Sequence, residues 1–214
     1  MNQLLYDRFL TLLEKEDKDQ ALTYVLDLLE NKTISLTELY NDLLTPSLTN
    51  FSCQLEDKEI CIWKEHARTS IIRTILEATY PYVIQKKSAK SDNPKRVLIV
   101  CPQEEYHEIG AIIATNYFLL AGYDARYIGA NTPTPEILSA IKALKPDFIA
   151  LSVTNYYNLF TTKKLTEAIK AQFPDVKIIL GGQAFTHPKA TDQLLFDIHI
   201  QQVDDIADFE QVNK

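Results

Sequence analysis

The run RVLIVCPQEEYHEIG, residues 96–110, decides the fold. RVLIVC, 96–101, is a short β-rich apolar run, and the segment after it, 107–121, has helical length and spacing. The same alternation then repeats to the end of the chain. YDARYIG (123–129), DFIALSV (147–153), VKIILG (176–181) and a weaker DIHIQQV (197–203) read as strands, separated by helical stretches at 134–144, 158–173 and 188–196. Five strands with intervening helices imply a parallel sheet covered on both faces. Right-handed crossovers make a doubly wound, flavodoxin-like α/β fold with strand order 2-1-3-4-5 the expected topology.

Working outward towards the N-terminus, the punctuation changes. All five glycines, Gly110, Gly122, Gly129, Gly181 and Gly182, lie in the second half of the 214-residue chain. The glycine-free half shows helical spacing in four runs, roughly 2–15, 18–31, 35–50 and 57–86, and reads as a four-helix bundle. Ser35 with Glu38 three residues on forms a capping-box pattern, and Pro46 is expected to end or kink the third run. The polar stretch KKSAKSDNPK breaks the last helix. The expected organisation is a helical domain at 1–86, a linker at 87–95 and an α/β domain at 96–214.

Composition narrows the function classes. With 22 basic against 29 acidic residues the net charge is −7, which disfavours direct binding to nucleic acid or an anionic membrane. Cys53, Cys61 and Cys101 show neither metal-ligand spacing nor a disulfide framework, which suits a reducing cytoplasm. The N-terminal stretch lacks signal-peptide features, and no run approaches the roughly 20 apolar residues of a membrane helix. A soluble cytoplasmic protein is expected.

In a doubly wound sheet, ligands bind at the carboxyl ends of the strands beside the switch point. The loops there are CPQEEYHEIG, VTNYYN and GGQAF. The first has no GxGxxG; it presents Glu105, His107 and Gly110 as E-x-H-x-x-G. A carboxylate that holds one imidazole nitrogen fixes the tautomer and raises the basicity of the other, the usual arrangement of a metal-ligating or catalytic histidine. An exposed loop histidine beside acidic neighbours would carry the same residues, so the spacing alone leaves both readings open. Ser152 and Thr154 offer two hydroxyls on one side of the third strand, with Val153 turned the other way. Gly181-Gly182 would serve either a tight turn or the close approach of backbone to a bulky ligand.

Together these loops resemble the cobalamin (vitamin B12)-binding domain family, whose pattern is D-x-H-x-x-G, then S-x-L or S-x-T, then G-G. The resemblance implies that His107 is the lower ligand of the cobalt, in place of the cofactor's own dimethylbenzimidazole, with Glu105 where the family usually has Asp. It also implies that Gly110, Ser152, Thr154, Gly181 and Gly182 line the slot for the displaced nucleotide tail. A four-helix module that covers the other face of the corrin precedes this domain in several family members. Its signature is similar to LEDKEICIWKEH, Leu55 to His66, where Glu65 and His66 match and the usual tryptophan and glycine do not. By resemblance Leu55, Glu65 and His66 contact the upper face.

Two branches of the family use this architecture. Methyl-carrying corrinoid proteins, which serve separate methyltransferases, typically read D-x-H-D-I-G-K, and the lysine is Ala111 here. The run EEYHEIGAIIATNYFLLAGYDARYIGANTP follows more closely the CarH-type B12-dependent light-responsive regulators. The resemblance therefore implies a non-enzymatic sensor, with adenosylcobalamin favoured over methylcobalamin. Leu55 stands where these photoreceptors carry a tryptophan and Glu56 where some carry a histidine, so the cap over the upper ligand differs from theirs. Trp63 lies two helical turns from Leu55, too far to substitute for that ring, and is expected to pack against a neighbouring helix. No helix-turn-helix is read ahead of the bundle, so either the chain is a fragment of a longer regulator or signalling is expected through a protein partner or self-association.

Overall fold

The computed structural model describes residues 2–51, 58–87 and 94–207. The chain divides into two compact units, Met1–Gln85 and Lys86–Lys214.

The first unit is helical. Helix α1 spans Gln3–Glu14 and α2 spans Lys18–Glu30, the latter capped by Asp17, whose carboxylate accepts the Gln20 N–H. Ser35 and Glu38 make the expected reciprocal capping box at α3, Leu36–Glu38. The chain then widens into a π-helical stretch, Leu39–Leu44, before α4, Thr45–Thr49. The run therefore continues helically through Pro46 rather than ending there. The proline has no N–H to give and its ring would crowd the carbonyl four residues back; the wider turn just ahead, with the Thr45 N–H bonded to the Tyr40 carbonyl, absorbs that conflict. Helix α5, Lys58–Lys86, continues through Pro81. Phe9, Val25, Leu39, Tyr40, Leu44 and Ile75 are fully buried in this unit. Cys61, in the first turn of α5, is disulfide-bonded, where the sequence pattern had suggested no disulfide.

The second unit is the α/β domain. Strands β1 (Arg96–Pro102), β2 (Asp124–Thr132), β3 (Phe148–Ser152), β4 (Lys177–Gly181) and β5 (Ile198–Ile200) form one sheet in the order β2-β1-β3-β4-β5. All the pairings are parallel, as the sequence predicted. Helices α6 (Ile109–Ala121), α7 (Thr134–Leu144) and α8 (Leu159–Gln172) supply the crossovers. Val97 to Cys101 are all buried, which explains the unbroken apolar run: β1 lies in mid-sheet with both faces covered. Leu98, Val100, Leu151, Val153, Leu165 and Leu180 belong to one apolar core. The ladder between β1 and β2 shifts register twice, between Ile99 and Val100 and between Val100 and Pro102, and still pairs Pro102 with Thr132 at the strand ends.

Two segments of the α/β domain fold differently from the helix at 188–196 and the strand to 203 that the sequence predicts. Residues 188–196 form no helix but a succession of turns, with Ala190 bonded to His187, Asp192 to Lys189 and Leu194 to Thr191. Lys189 takes a left-handed conformation (φ 65°), which a helix cannot continue, and Thr191 and Asp192 favour turns over helix interiors. Strand β5 stops at Ile200 rather than 203, because the Gln202 N–H is taken by the Asp205 carboxylate at the start of a 3₁₀ turn. That turn, Val203–Ala207, buries Ile206. Among the described residues no helix is long and apolar enough to cross a membrane.

Candidate functional site

The loop between β1 and α6 carries the site. At Glu104 the backbone turns left-handed (φ 72°), and the Glu105 N–H closes a turn on the Pro102 carbonyl. The Glu105 side chain is thereby directed inward, where it is fully buried. A buried carboxylate is tolerable only when its lone pairs are satisfied, and here five donors converge on it. Oε1 accepts the His107 backbone N–H at 3.0 Å and lies 2.5 Å from His107 Nδ1. Oε2 accepts the backbone N–H groups of Thr154 and Asn155, each at 2.9 Å, and Nδ2 of Asn158 at 3.1 Å.

Burial alone would raise the Glu105 pKa. The bonds from the His107 ring and from the Asn155, His107 and Thr154 backbones outweigh it and bring the carboxyl down to about 2. Glu105 is therefore ionised at neutral pH and a strong acceptor for an imidazole N–H. That bond makes Nδ1 the donor and turns Nε2 away from the carboxylate, on a side chain that is 56% exposed. A fixed, half-exposed imidazole with an ionised carboxylate behind it is a donor set for a metal that brings its other ligands with it. Among the described residues there is no cluster of His, Cys, Asp and Glu that would hold a bare metal ion.

The loop is braced on its far side as well. Tyr127, on β2, donates to the Glu108 carboxylate at 2.7 Å. The Cys101 thiol, below the loop, donates to the His107 carbonyl at 3.7 Å. Burial is the main cause that pushes this thiol up to about 12, so it stays protonated.

The neighbouring loops supply a cradle. Val153 is buried in the core while Ser152 and Thr154 are half-buried on the other side, as strand alternation requires. Gly110 opens the second residue of α6, and a Cβ built there would meet only the Ser152 hydroxyl, 4.0 Å away. Gly181 is similarly open, its nearest neighbour being the Ile200 carbonyl at 3.9 Å. Gly182 is different: it has φ 112°, and a Cβ there would sit 2.3 Å from the Val153 carbonyl oxygen. The second glycine thus serves the turn, and Gly110 and Gly181 leave space.

The second unit therefore brings together Glu105, His107, Gly110, Ser152, Thr154, Gly181 and Gly182 at the carboxyl ends of β1, β3 and β4. Thr154 reaches the cluster through its N–H rather than its hydroxyl. Glu65 and His66 are exposed on α5 in the first unit, as is Trp63, which was expected to pack. Leu55 and Glu56 lie outside the described residues. Sequence reading missed Asn158, which is buried at the N-cap of α8. Asparagine there normally caps its own helix; this one makes no cap bond and donates instead to Glu105 and to the Glu104 carbonyl.

Comparison with known proteins gives the family and the fold. A family model for the B12 binding domain matches residues 95–206, more than half of the chain. The HTH-type transcriptional repressor CarA of Myxococcus xanthus is 28% identical over 190 residues, covering 87% of this chain and 61% of the relative. The repressor CarH of the same organism is 25% identical over 184 residues, covering 83% and 58% respectively. The chain thus spans about three-fifths of the length of these relatives. The monomethylamine corrinoid protein of Methanosarcina barkeri superposes with a TM-score of 0.78 over 100% of both chains at 15% identity, a likeness of fold. By its matched residues and its fold, the chain belongs to the B12-binding domain family.

Proposed function

We propose that this chain is a non-catalytic cobalamin sensor or regulatory module that holds the corrinoid base-off, with His107 as the lower ligand of the cobalt. The observation that supports the reading is the buried, ionised Glu105 bonded to His107 Nδ1, the arrangement that orients an imidazole to ligate a metal through Nε2. When bound, the cofactor supplies a cobalt–carbon bond on its upper face that light can break. Everything else falls to the chain. Glu105 keeps the Nδ1 proton in place and the ring oriented. Gly110 and Gly181 leave room, beside Ser152 and Thr154, for the displaced nucleotide tail. By resemblance, Glu65 and His66 of the helical module, 1–86, are further candidates for contact with the cofactor.

The sensor branch is supported by Ala111 in place of the carrier lysine and by the similarity to two proteins named as transcriptional repressors. Adenosylcobalamin is the favoured form. The signal passes to a protein partner or to self-association in the cytoplasm, without direct nucleic-acid contact, in keeping with a net charge of −7.

The lower-ligand assignment is tested by loading wild type and His107→Ala with cobalamin and comparing absorbance. The variant is expected to move from a histidine-ligated to a base-on or water-ligated spectrum; identical spectra would overturn the assignment. Green illumination of the adenosylcobalamin-loaded protein is expected to change both spectrum and oligomer size. Rapid reduction and methylation by a partner methyltransferase would instead make the chain a methyl carrier.

A further inference from the structure

The five donors on Glu105 explain why the carboxylate is comfortable once it is inside the protein. They do not explain why the loop turns it there. The chain leaves β1 at Pro102 and must reverse direction within three residues, with Glu104 in a left-handed conformation (φ 72°) that a residue with a Cβ seldom adopts without help. The help comes from the end of β2. Asn131, itself left-handed at φ 48°, accepts the Glu104 N–H on Oδ1 at 2.8 Å and donates its own N–H to the Glu105 carbonyl, also at 2.8 Å. The two-residue segment Glu104–Glu105 is thus held at both ends, at the Glu104 N–H and at the Glu105 carbonyl, by a single residue. Asparagine suits the position on two counts, since it tolerates the left-handed region and carries a side-chain acceptor.

We infer that Asn131 is a positioning residue for His107: by gripping the backbone of Glu104 and Glu105 it fixes the direction of the Glu105 carboxylate and so the orientation and tautomer of the imidazole. The consequence for cobalt rests on the lower-ligand reading above; the consequence for the imidazole does not. Two substitutions separate the side-chain bond from the backbone conformation. Asn131→Gly keeps the left-handed backbone and the N–H to Glu105 but removes the acceptor for Glu104. Asn131→Asp keeps both.

In cobalamin-free protein carrying ¹⁵N-histidine, His107 is identified by the resonances that His107→Ala removes. The wild type and Asn131→Asp are expected to show the Nδ1-protonated tautomer, and Asn131→Gly to shift towards the averaged values of a mobile ring while its thermal midpoint stays within a few degrees. On loading, Asn131→Gly is expected to bind cobalamin about tenfold more weakly, the low end of the range for groups that orient a metal ligand, and Asn131→Asp to bind like the wild type. Wild-type ring shifts in Asn131→Gly, or loss of the tautomer in Asn131→Asp as well, would overturn the inference. If the ring shifts respond as expected but ¹⁵N coupling to cobalt(II) is absent in the wild type, the lower-ligand assignment falls and the positioning role stands.

Discussion

Glu105 joins a structural task to a chemical one. Burial would raise its carboxyl, but three backbone N–H groups and the His107 ring prefer the ionised form and hold it at about 2 in the folded chain against an ordinary 4.5. A depressed carboxyl pKa contributes stability that is complete above the unfolded value and is lost as pH falls through the folded one. The window is therefore between pH 4.5 and about 2, and the contribution at neutral pH is about 3 kcal/mol. Denaturant midpoints of the cobalamin-free protein should fall across that window, and Glu105→Gln should start lower and lose this part of the pH dependence. A parallel decline in the variant would show that other groups carry it. The E-x-H pair was legible in the sequence because its two members are neighbours. Asn158 was not, because it lies 53 residues away and gains its meaning only when α8 starts beside the loop.

At the scale of elements, period and length placed the five strands and the order of the sheet, since a strand buried on both faces writes an unbroken apolar run into the chain. They failed where the run is short and its residues prefer turns. At 188–196 the length suits a short helix, with Ala190 and Leu194 four residues apart, but Lys189 is left-handed and the segment folds as turns. The glycines of the cradle divide along element lines too. Gly182→Ala places a Cβ against the Val153 carbonyl at a φ of 112° and should cost at least about 2 kcal/mol of stability with or without ligand. Gly110→Ala sits inside a helix, meets only the Ser152 hydroxyl at an unstrained 4.0 Å, and should stabilise the cobalamin-free protein by up to about 1 kcal/mol while weakening cobalamin binding. Thermal midpoints and binding isotherms read the two effects separately. A Gly110→Ala protein that binds as tightly as wild type would remove this glycine from the tail slot.

For the whole molecule, a ligand that binds only the folded chain shifts unfolding by mass action. Cobalamin at 100 times its dissociation constant should add about 2.7 kcal/mol, seen as a rise in the thermal midpoint, and His107→Ala at the same concentration should recover only part of it. An equal rise in both proteins would place the binding energy elsewhere. The division into two units was visible in the distribution of glycine, absent from the first hundred residues and recurrent after them. The π-helical stretch around Tyr40 was not, since it answers a steric conflict at Pro46 that spacing does not register. One further consequence follows from the register shifts between β1 and β2. They bring Asn131 opposite the histidine loop, so E-x-H is not a portable cassette. An engineer who grafts Glu105 and His107 onto another parallel sheet would need to transplant the irregular end of the adjoining strand along with them.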